Sequence, residues 1–394
     1  MPFTYNVFID FDGTITEIDV GYELFKRFTN SATEPLVQRY RAGELNSLEC
    51  LSGECEIWNS CQPAPSEVDK FLENQPIRQG FNEFIAYLQS IGIGPIILSE
   101  GFDFYIDRFL GHHGLLNMPK ITNSAVYIDG KVTPKFPYYE AGCRSCSNCK
   151  GYHINRMRHP KSCAIFIGDG HSDLHGSRSA DIVFARSFLA ENMAQSGRAF
   201  LPFEDFADVE SKIKEIMAEH IFSFGERIVL KYISPQYHKS IEDLWECGEV
   251  MKHVGYPSGV GWTRDQYEKQ FEEMSKRDDS VFLAIENDSG EFLGEAKISF
   301  PNEQGFCHHE LKLLPRYWDE SINRKAWNLI LDRADARWPN ARTIITPTAE
   351  DEKDINLFLK LGFRFDGSIE TWEPTENVPG VVPVRYRKMV RDCK

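Results

Sequence analysis

Asp10 and Asp12 stand one residue apart at the end of an apolar run, Tyr5-Asn6-Val7-Phe8-Ile9-Asp10-Phe11-Asp12-Gly13-Thr14. Carboxylates are poor strand formers and costly to bury. Two of them at the tip of a buried strand need a compensating charge, and a hard cation with oxygen ligands supplies one. Mg²⁺ takes one or two carboxylates, keeps waters and accepts phosphate oxygens. A distant acid completes such a site, and Gly168-Asp169-Gly170-His171-Ser172-Asp173 offers two after another apolar stretch. A carboxylate held there can act as a nucleophile and carry a phosphoryl group. Asp10 is the candidate. Asp12 lies on the same side of an extended chain and is placed to protonate the leaving oxygen, then to deprotonate water. Phosphoryl transfer also needs donors for the equatorial oxygens. Ser99, the backbone at Glu100-Gly101 and one lysine would meet that need.

Elements that could position these residues are visible around them. Short apolar stretches at 5–9, 94–99, 162–169 and 180–185 alternate with amphipathic segments such as 81–90. Alternation of this kind predicts a parallel sheet with helices on both faces, an α/β Rossmann-like layer. Ligands bind such sheets beyond the carboxyl ends of the strands, and Asp10, Asp12, Ser99, Asp169 and Asp173 all fall there. Residues 20–75 lack an obvious strand and read as a small helical insertion over the site. Asp129-Gly130 between apolar runs predicts a β-hairpin. A second pattern starts near 226: strand 227–234, helix 235–251, a hairpin over 280–300 around Asp288-Ser289-Gly290, strand 308–314, helix 322–338, strand 341–348, helix 351–363 and strand 384–390. With 394 residues, too many for one ordinary core, the expected domains are 1–222, with a cap at about 18–76, and 223–394.

A net charge of −15 argues against a nucleic-acid backbone as the main partner. No apolar run of 18 residues predicts a membrane span. The first thirty residues lack a basic start followed by an apolar stretch, so a cytoplasmic protein with reduced thiols is expected. Cys143-x2-Cys146-x2-Cys149, followed by His153, has ligand types and spacing that Zn²⁺ could use. Reduced thiols in a tight loop, with Cys149 packing beside Lys150, are the other reading. His308 and His309 begin a strand, whose alternation sends the two rings to opposite faces.

Asp10-x-Asp12-Gly13-Thr14, Ser99, Lys150 and Gly168-Asp169-x3-Asp173 together resemble the four motifs of the haloacid dehalogenase (HAD) superfamily of phosphatases, in the right order across residues 5–185. The resemblance implies Asp10 as nucleophile and Asp12 as acid/base. Phe11, Ser99, Glu100, Gly101 and Lys150 would hold phosphate. Mg²⁺ would be bound by Asp10, the Asp12 carbonyl and Asp169, with Asp173 in or near the shell. Lys150 is preferred over Lys131, Lys135 and Lys161 because it opens a helical segment shortly before the Asp169 strand. Glu100, an acid beside a phosphate site, is expected to turn its side chain away. The helical insertion resembles the cap of the phosphoserine-phosphatase-like branch. DFDGTIT, the run from Ser99 to Ile106 and the cysteine-rich stretch before Lys150 resemble its methionine-salvage type. That type acts on 2-hydroxy-3-keto-5-methylthiopentenyl-1-phosphate, so the implied partner is a small phosphate ester.

Residues 226–390 resemble the α+β fold of GNAT N-acetyltransferases through Phe292–Ala296, Leu311–Pro315, Ala326-Trp327 and Leu361-Gly362-Phe363. Active members hold the coenzyme A pyrophosphate on a glycine-containing loop at a helix start. Tyr317–Asn323 stands there in this chain, without glycine and with two acids. Asp351 and Phe358 occupy the positions where the family often has asparagine and a tyrosine general acid. Acetyl-CoA is therefore not expected. A degenerate domain that stabilises the enzyme, forms a homodimer or binds another ligand is the main reading, and a bifunctional protein with an acyl-CoA-dependent N-acyltransferase the alternative.

Overall fold

The computed structural model describes residues 4–374 and 380–392. Two compact units emerge, Thr4–Ile216 and a second from Met217 onward.

The first unit is built on a seven-stranded sheet. In chain order its elements are β1 (Tyr5–Ile9), α1 (Val20–Phe28), α2 (Glu34–Arg41), α3 (Ser47–Cys61), α4 (Pro65–Glu73), α5 (Phe81–Ser90), β2 (Ile96–Phe102), α6 (Asp103–His112), β3 (Lys120–Ile128), β4 (Lys131–Lys135), α7 (Lys150–Met157), β5 (Cys163–Gly168), α8 (Leu174–Ser179), β6 (Ile182–Ala185), α9 (Ser187–Gln195), β7 (Leu201–Pro202) and α10 (Phe206–Ala218). The strand order is β4-β3-β2-β1-β5-β6-β7. All neighbours run parallel except β3 and β4. β5 is buried along its whole length, as a central parallel strand covered on both faces should be. β1 lies between β2 and β5, with Tyr5 opposite Cys163 and Ile9 opposite Ile167. Asp10 therefore leaves the sheet at its centre, one residue past the last β1–β5 pair, Ile9 with Ile167, and close to the end of β5 at Gly168.

The insertion between β1 and β2 is helical, as expected, and forms four helices, α1–α4. Its core is aromatic: Trp58 is fully buried and its ring meets Phe25 at 5.1 Å. The β3–β4 hairpin supports it. Trp58 Nε1 donates to Gly130 O at 2.8 Å, and Asn59 exchanges two hydrogen bonds with the Val132 backbone. Asp129 and Gly130 have φ of 49° and 79°, the left-handed pair that a two-residue hairpin turn requires.

The second unit begins with β8 (Ile221–Gly225), which pairs with β9 (Ile228–Tyr232). That pairing draws the division back from the expected 222/223 to 216/217. The unit continues through α11 (His238–Glu246), α12 (Gly248–Met251), α13 (Arg264–Lys276), β10 (Ser280–Asn287), β11 (Phe292–Ser299), β12 (Phe306–His308), β13 (Glu310–Leu313), α14 (Glu320–Arg337), β14 (Arg342–Ile345), α15 (Glu352–Lys360), β15 (Arg364–Trp372) and β16 (Val384–Asp392). It has two sheets, β13-β11-β10-β9-β8 and β12-β14-β16-β15. One extended run, 306–313, serves both: β12 pairs with β14 and β13 with β11. His309 at the changeover is buried while His308 is exposed, the opposite facing that alternation predicts. Among the described residues no helix is long and apolar enough to cross a membrane.

Candidate active site

The chain turns sharply after β1. Asp10 N–H still donates to Ile167 O at 2.9 Å, and Phe11–Ile15 then folds into a tight coil. Gly13 is needed there on two counts. Its φ is +76°, and a Cβ would lie 2.5 Å from Asp169 Oδ2. Arg78, buried, holds the coil from behind. Its Nη2 donates to Gly13 O at 2.7 Å and Thr16 O at 2.8 Å, and its Nε to Thr14 O at 2.7 Å. Nothing in the local sequence marks Arg78 for this duty, because its partners lie some sixty residues earlier. The Phe11 ring packs on Phe109 at 5.2 Å, so Phe11 can offer a ligand only its backbone.

Lys150 opens α7 and is fully buried. Its Nζ donates to Asp10 Oδ1 and Asp173 Oδ1, each at 2.5 Å, and to Ser172 Oγ at 2.9 Å. Asp173 Oδ2 accepts from the backbone of Asp169 and Gly170, both at 2.8 Å. Thr14 Oγ1 donates to Asp169 Oδ1 at 3.0 Å and sits 3.5 Å from Asp10 Oδ2. Ligand oxygens of Asp10, Asp169 and Asp173 thus lie within 4.8 Å of one another. Burial, then the neighbouring Asp173, pushes Asp10 well above the carboxylate range and Asp169 up to about 7. Burial alone would lower the Lys150 ammonium, but Asp10 and Asp173 hold it above the usual lysine range. With all three carboxylates ionised, as a bound cation would favour, the one ammonium would leave two negative charges over. An all-oxygen donor set with that deficit fits one Mg²⁺.

Asp12 has different partners. Its Oδ2 accepts from Tyr105 OH at 2.6 Å and its Oδ1 from Gly21 N–H at 2.8 Å, in the first turn of α1. Burial, then Asp19, pushes Asp12 up to about 7. Tyr105 needs glycine around it: a Cβ on Gly101 would overlap its hydroxyl, and one on Gly21 would lie 2.5 Å away. Ser99 is 1% exposed and its Oγ accepts from Gly101 N–H at 2.9 Å, which leaves its own hydrogen to donate. It does not cap α6, which starts only at Asp103 with Phe102 before it. The register of β2 with β3 breaks between Leu98 and Phe102, so the strand bulges at Ser99-Glu100-Gly101.

Glu100 is among the residues that line the cavity. Ser47 at the start of α3 and Ser147 both donate to its Oε2, the latter from Oγ at 3.0 Å and from N–H at 3.2 Å. These bonds tether the acid, which burial raises in pKa. Asn46 and Glu49 form a reciprocal cap that fixes where Ser47 stands.

These groups line a cavity of about 480 Å³ between the strand ends and the helical insertion. Asp10, Asp12, Asp169 and Ser99 face it, with Phe25, Val37 and Leu51 from the insertion and Phe188. Of the four candidate lysines, only Lys150 reaches Asp10.

Cys143, Cys146 and Cys149 converge, but with His175 rather than His153. His153 Nε2 pairs with Asn148 Oδ1 at 2.7 Å, and its ring meets Tyr138 edge-on at 4.7 Å. His175 lies in a different element, two residues past Asp173, which is why cysteine spacing does not reveal it.

In the second unit the departures from the acetyltransferase pattern have structural duties. Asp319 caps α14, its Oδ1 accepting from Ser321 N–H at 2.6 Å and Ile322 N–H at 3.0 Å. Asp351 caps α15 through Lys353 and Asp354 N–H, both at 3.1 Å. Phe358 is buried against Trp327 at 5.1 Å.

Haloacid dehalogenase-like hydrolases match residues 7–178, and the GNAT acetyltransferase family matches 240–363. The 2-hydroxy-3-keto-5-methylthiopentenyl-1-phosphate phosphatase of Bacillus cereus (strain G9842) is 31% identical over 215 residues, 54% of this chain and 96% of that protein. A structure of a phospho-aspartyl intermediate analogue of phosphoserine phosphatase covers 55% of this chain and 99% of its own, at 16% identity and a TM-score of 0.42. Spermidine N-acetyltransferase from Vibrio cholerae, with CoA and spermine, covers 42% of this chain and 95% of its own, at 14% identity and a TM-score of 0.37. The N-terminal unit belongs to the haloacid dehalogenase-like hydrolases, as a phosphoric monoester hydrolase, and the chain joins it to a C-terminal domain of the GNAT acetyltransferase family.

Proposed function

We propose that the N-terminal unit is a Mg²⁺-dependent, cytoplasmic phosphatase that works through an aspartyl phosphate on Asp10, and that its substrate is 2-hydroxy-3-keto-5-methylthiopentenyl-1-phosphate. The carrying observation is that the two acids line one cavity but are held by separate partners. Lys150 ties down one oxygen of Asp10 and leaves Oδ2 with only a 3.5 Å contact from Thr14. Asp12 points its carboxyl to Tyr105 and α1, clear of that cluster. In this reading Asp10 Oδ2 attacks phosphorus, and Asp12 gives its proton to the leaving ester oxygen. Asp12 then takes a proton from the water that cleaves the aspartyl phosphate. Ser99 Oγ–H, the Gly101 backbone and Lys150 bind the equatorial oxygens. Asp10, Asp169 and the Asp12 carbonyl, with Asp173 behind them, would hold Mg²⁺, which would supply positive charge for the phosphate oxygens. The substrate assignment rests on the 31% identical relatives, and the apolar walls at Phe25, Val37 and Leu51 suit a methylthio tail.

The C-terminal domain, in the same reading, does not carry out standard acetyl transfer, because the Asp319 carboxylate already holds the amides at the start of α14. The test is phosphate release in Mg²⁺. Asp10→Asn should lower turnover of p-nitrophenyl phosphate by at least ~10³-fold, and the methylthiopentenyl phosphate should be hydrolysed in preference to phosphoserine. Undiminished turnover by Asp10→Asn would remove the nucleophile, and equal rates on the two esters would remove the substrate.

A further inference from the structure

The loop between β4 and α7 gathers three thiols on one imidazole. His175 Nδ1 lies 3.2 Å from Cys143 Sγ, 3.1 Å from Cys146 Sγ and 3.9 Å from Cys149 Sγ. All four donor atoms fall within 4.8 Å of one another. We propose that Cys143, Cys146, Cys149 and His175 bind one Zn²⁺, and that this ion fixes Lys150 and Asp173 relative to each other.

Hydrogen bonding alone does not account for the convergence. A neutral imidazole nitrogen carries either one hydrogen or one lone pair, so Nδ1 can serve one sulfur well but not three. A cation at the centre serves all four atoms together. With Zn–S near 2.3 Å and Zn–N near 2.0–2.1 Å in tetrahedral geometry, sulfur and nitrogen should stand about 3.6 Å apart. The three separations, 3.2, 3.1 and 3.9 Å, bracket that value. Three sulfurs and one nitrogen form a closed four-ligand set of the structural kind, with no position left for substrate. The soft ligands also separate this site from the all-oxygen set at Asp10, so the two would sort Zn²⁺ from Mg²⁺.

Its place in the fold says what it would do. Cys149 immediately precedes Lys150, and His175 follows Asp173 by two residues. Lys150 and Asp173 meet at 2.5 Å. The backbones approach closely here too, since a Cβ on Gly151 would lie 2.7 Å from His175 O. An ion held by Cys149 and His175 therefore clamps the two segments that bring the lysine to the acid. The same loop supplies Ser145, whose carbonyl accepts from Ser47 N–H at 3.2 Å, and Ser147, which bonds Glu100. Ion binding stands apart from the phosphatase reading; the positioning of Lys150 rests on it.

The experiment uses the full chain. Protein produced with added Zn²⁺ and dialysed without chelator should carry one zinc per chain by elemental analysis. Replacement by Co²⁺ should give the intense visible bands of a tetrahedral site with thiolate charge transfer in the near ultraviolet. Cys143 is exposed, so Cys143→Ser should leave the fold intact. It should weaken zinc by more than the ~10–100-fold that loss of a supporting partner costs. His175→Asn should do the same, and in both variants phosphatase kcat should fall more than KM rises. Three outcomes would overturn the proposal: no zinc retained with no tetrahedral Co²⁺ spectrum, zinc retained equally by the Cys143→Ser/His175→Asn double variant, or a disulfide among the three cysteines in the active enzyme. A protein that binds zinc yet hydrolyses no phosphate ester would sink the phosphatase reading and leave the zinc site standing.

Discussion

Two helix starts in each unit are handled in opposite ways. At the carboxyl ends of the N-terminal sheet, α6 and α7 begin without a side-chain cap. Asp103, the acid in the first turn of α6, spends its carboxylate on Ser124 Oγ at 2.6 Å and Ala125 N–H at 2.8 Å, away from the helix start. In the C-terminal unit, Asp319 and Asp351 turn back onto the first amides of α14 and α15. An uncapped start offers N–H groups and positive potential to an anion, whereas a start capped by its own carboxylate is already satisfied. On the proposed reading, the same rule from helix physics would separate a unit that receives phosphate from one whose α14 start is already taken by its own carboxylate.

The strongest way to break this contrast is Lys150→Met. Lys150 supplies the ammonium that bonds both Asp10 and Asp173, and all three are buried. Removing one partner of such a group costs ~3–5 kcal/mol because buried charge is left uncompensated. The variant should lose phosphatase turnover and unfold at lower denaturant in the N-terminal unit, with the C-terminal unit unaffected. Mg²⁺ should restore part of the stability by neutralising the acids, but not the turnover. Denaturant titration with and without Mg²⁺ measures this; an unchanged midpoint would mean that the acids do not depend on Lys150.

Acid should also act on the other unit. His309 is 2% exposed, and burial, then His308, depresses its pKa to about 3. Unfolded, the ring binds a proton near its ordinary 6.5, so the unfolded state takes up more protons below that pH. Stability should fall by about 1.4 kcal/mol for each pH unit from 6.5 down to about 3. Glu310, held down to about 2 despite burial by Lys312 and Lys297, adds loss of the same sign below about 4.5. Six of the seven tryptophans lie beyond residue 217, so tryptophan fluorescence follows this unit in the full chain. His309→Phe should flatten the slope between pH 6.5 and 4.5 and leave the Glu310 portion. An unchanged slope would assign the acid sensitivity elsewhere.

Why some of this was legible in the sequence and some was not follows from where the partners lie. Asp10, Ser99, Lys150 and Asp169 announce themselves because each stands at the end of an apolar run or the start of a helix, and strand order brings them together. Residues that serve them from elsewhere carry no such mark. Arg78 reads as a loop cation, Tyr105 as a core aromatic of α6, and His175 as a polar residue in a short helix, until the topology places them. Elements follow the same logic. β15 is exposed along nearly its whole length, so it has no burial alternation to read. α13 buries only Tyr267, Phe271 and Met274 among charged neighbours, a helical spacing thin enough for charge to conceal.

The smallest expected effect sharpens the opening contrast most. Asp319→Ala frees two amides at the start of α14 and removes one acid; Glu320 beside it stays paired to Lys360 at 2.5 Å. Loss of a carboxylate cap costs about 1 kcal/mol, so the C-terminal unit should unfold slightly earlier while phosphatase turnover is unchanged. Removing an acid from a helix start improves the site for an anion by ~0.3–1 kcal/mol, which is at most a few-fold in affinity. Calorimetry with coenzyme A should therefore show no binding to the natural chain and at most weak binding to the variant. Tight binding by the natural chain would show that the pyrophosphate finds amides other than those Asp319 occupies. The two units would then differ in which anion they hold rather than in whether they hold one.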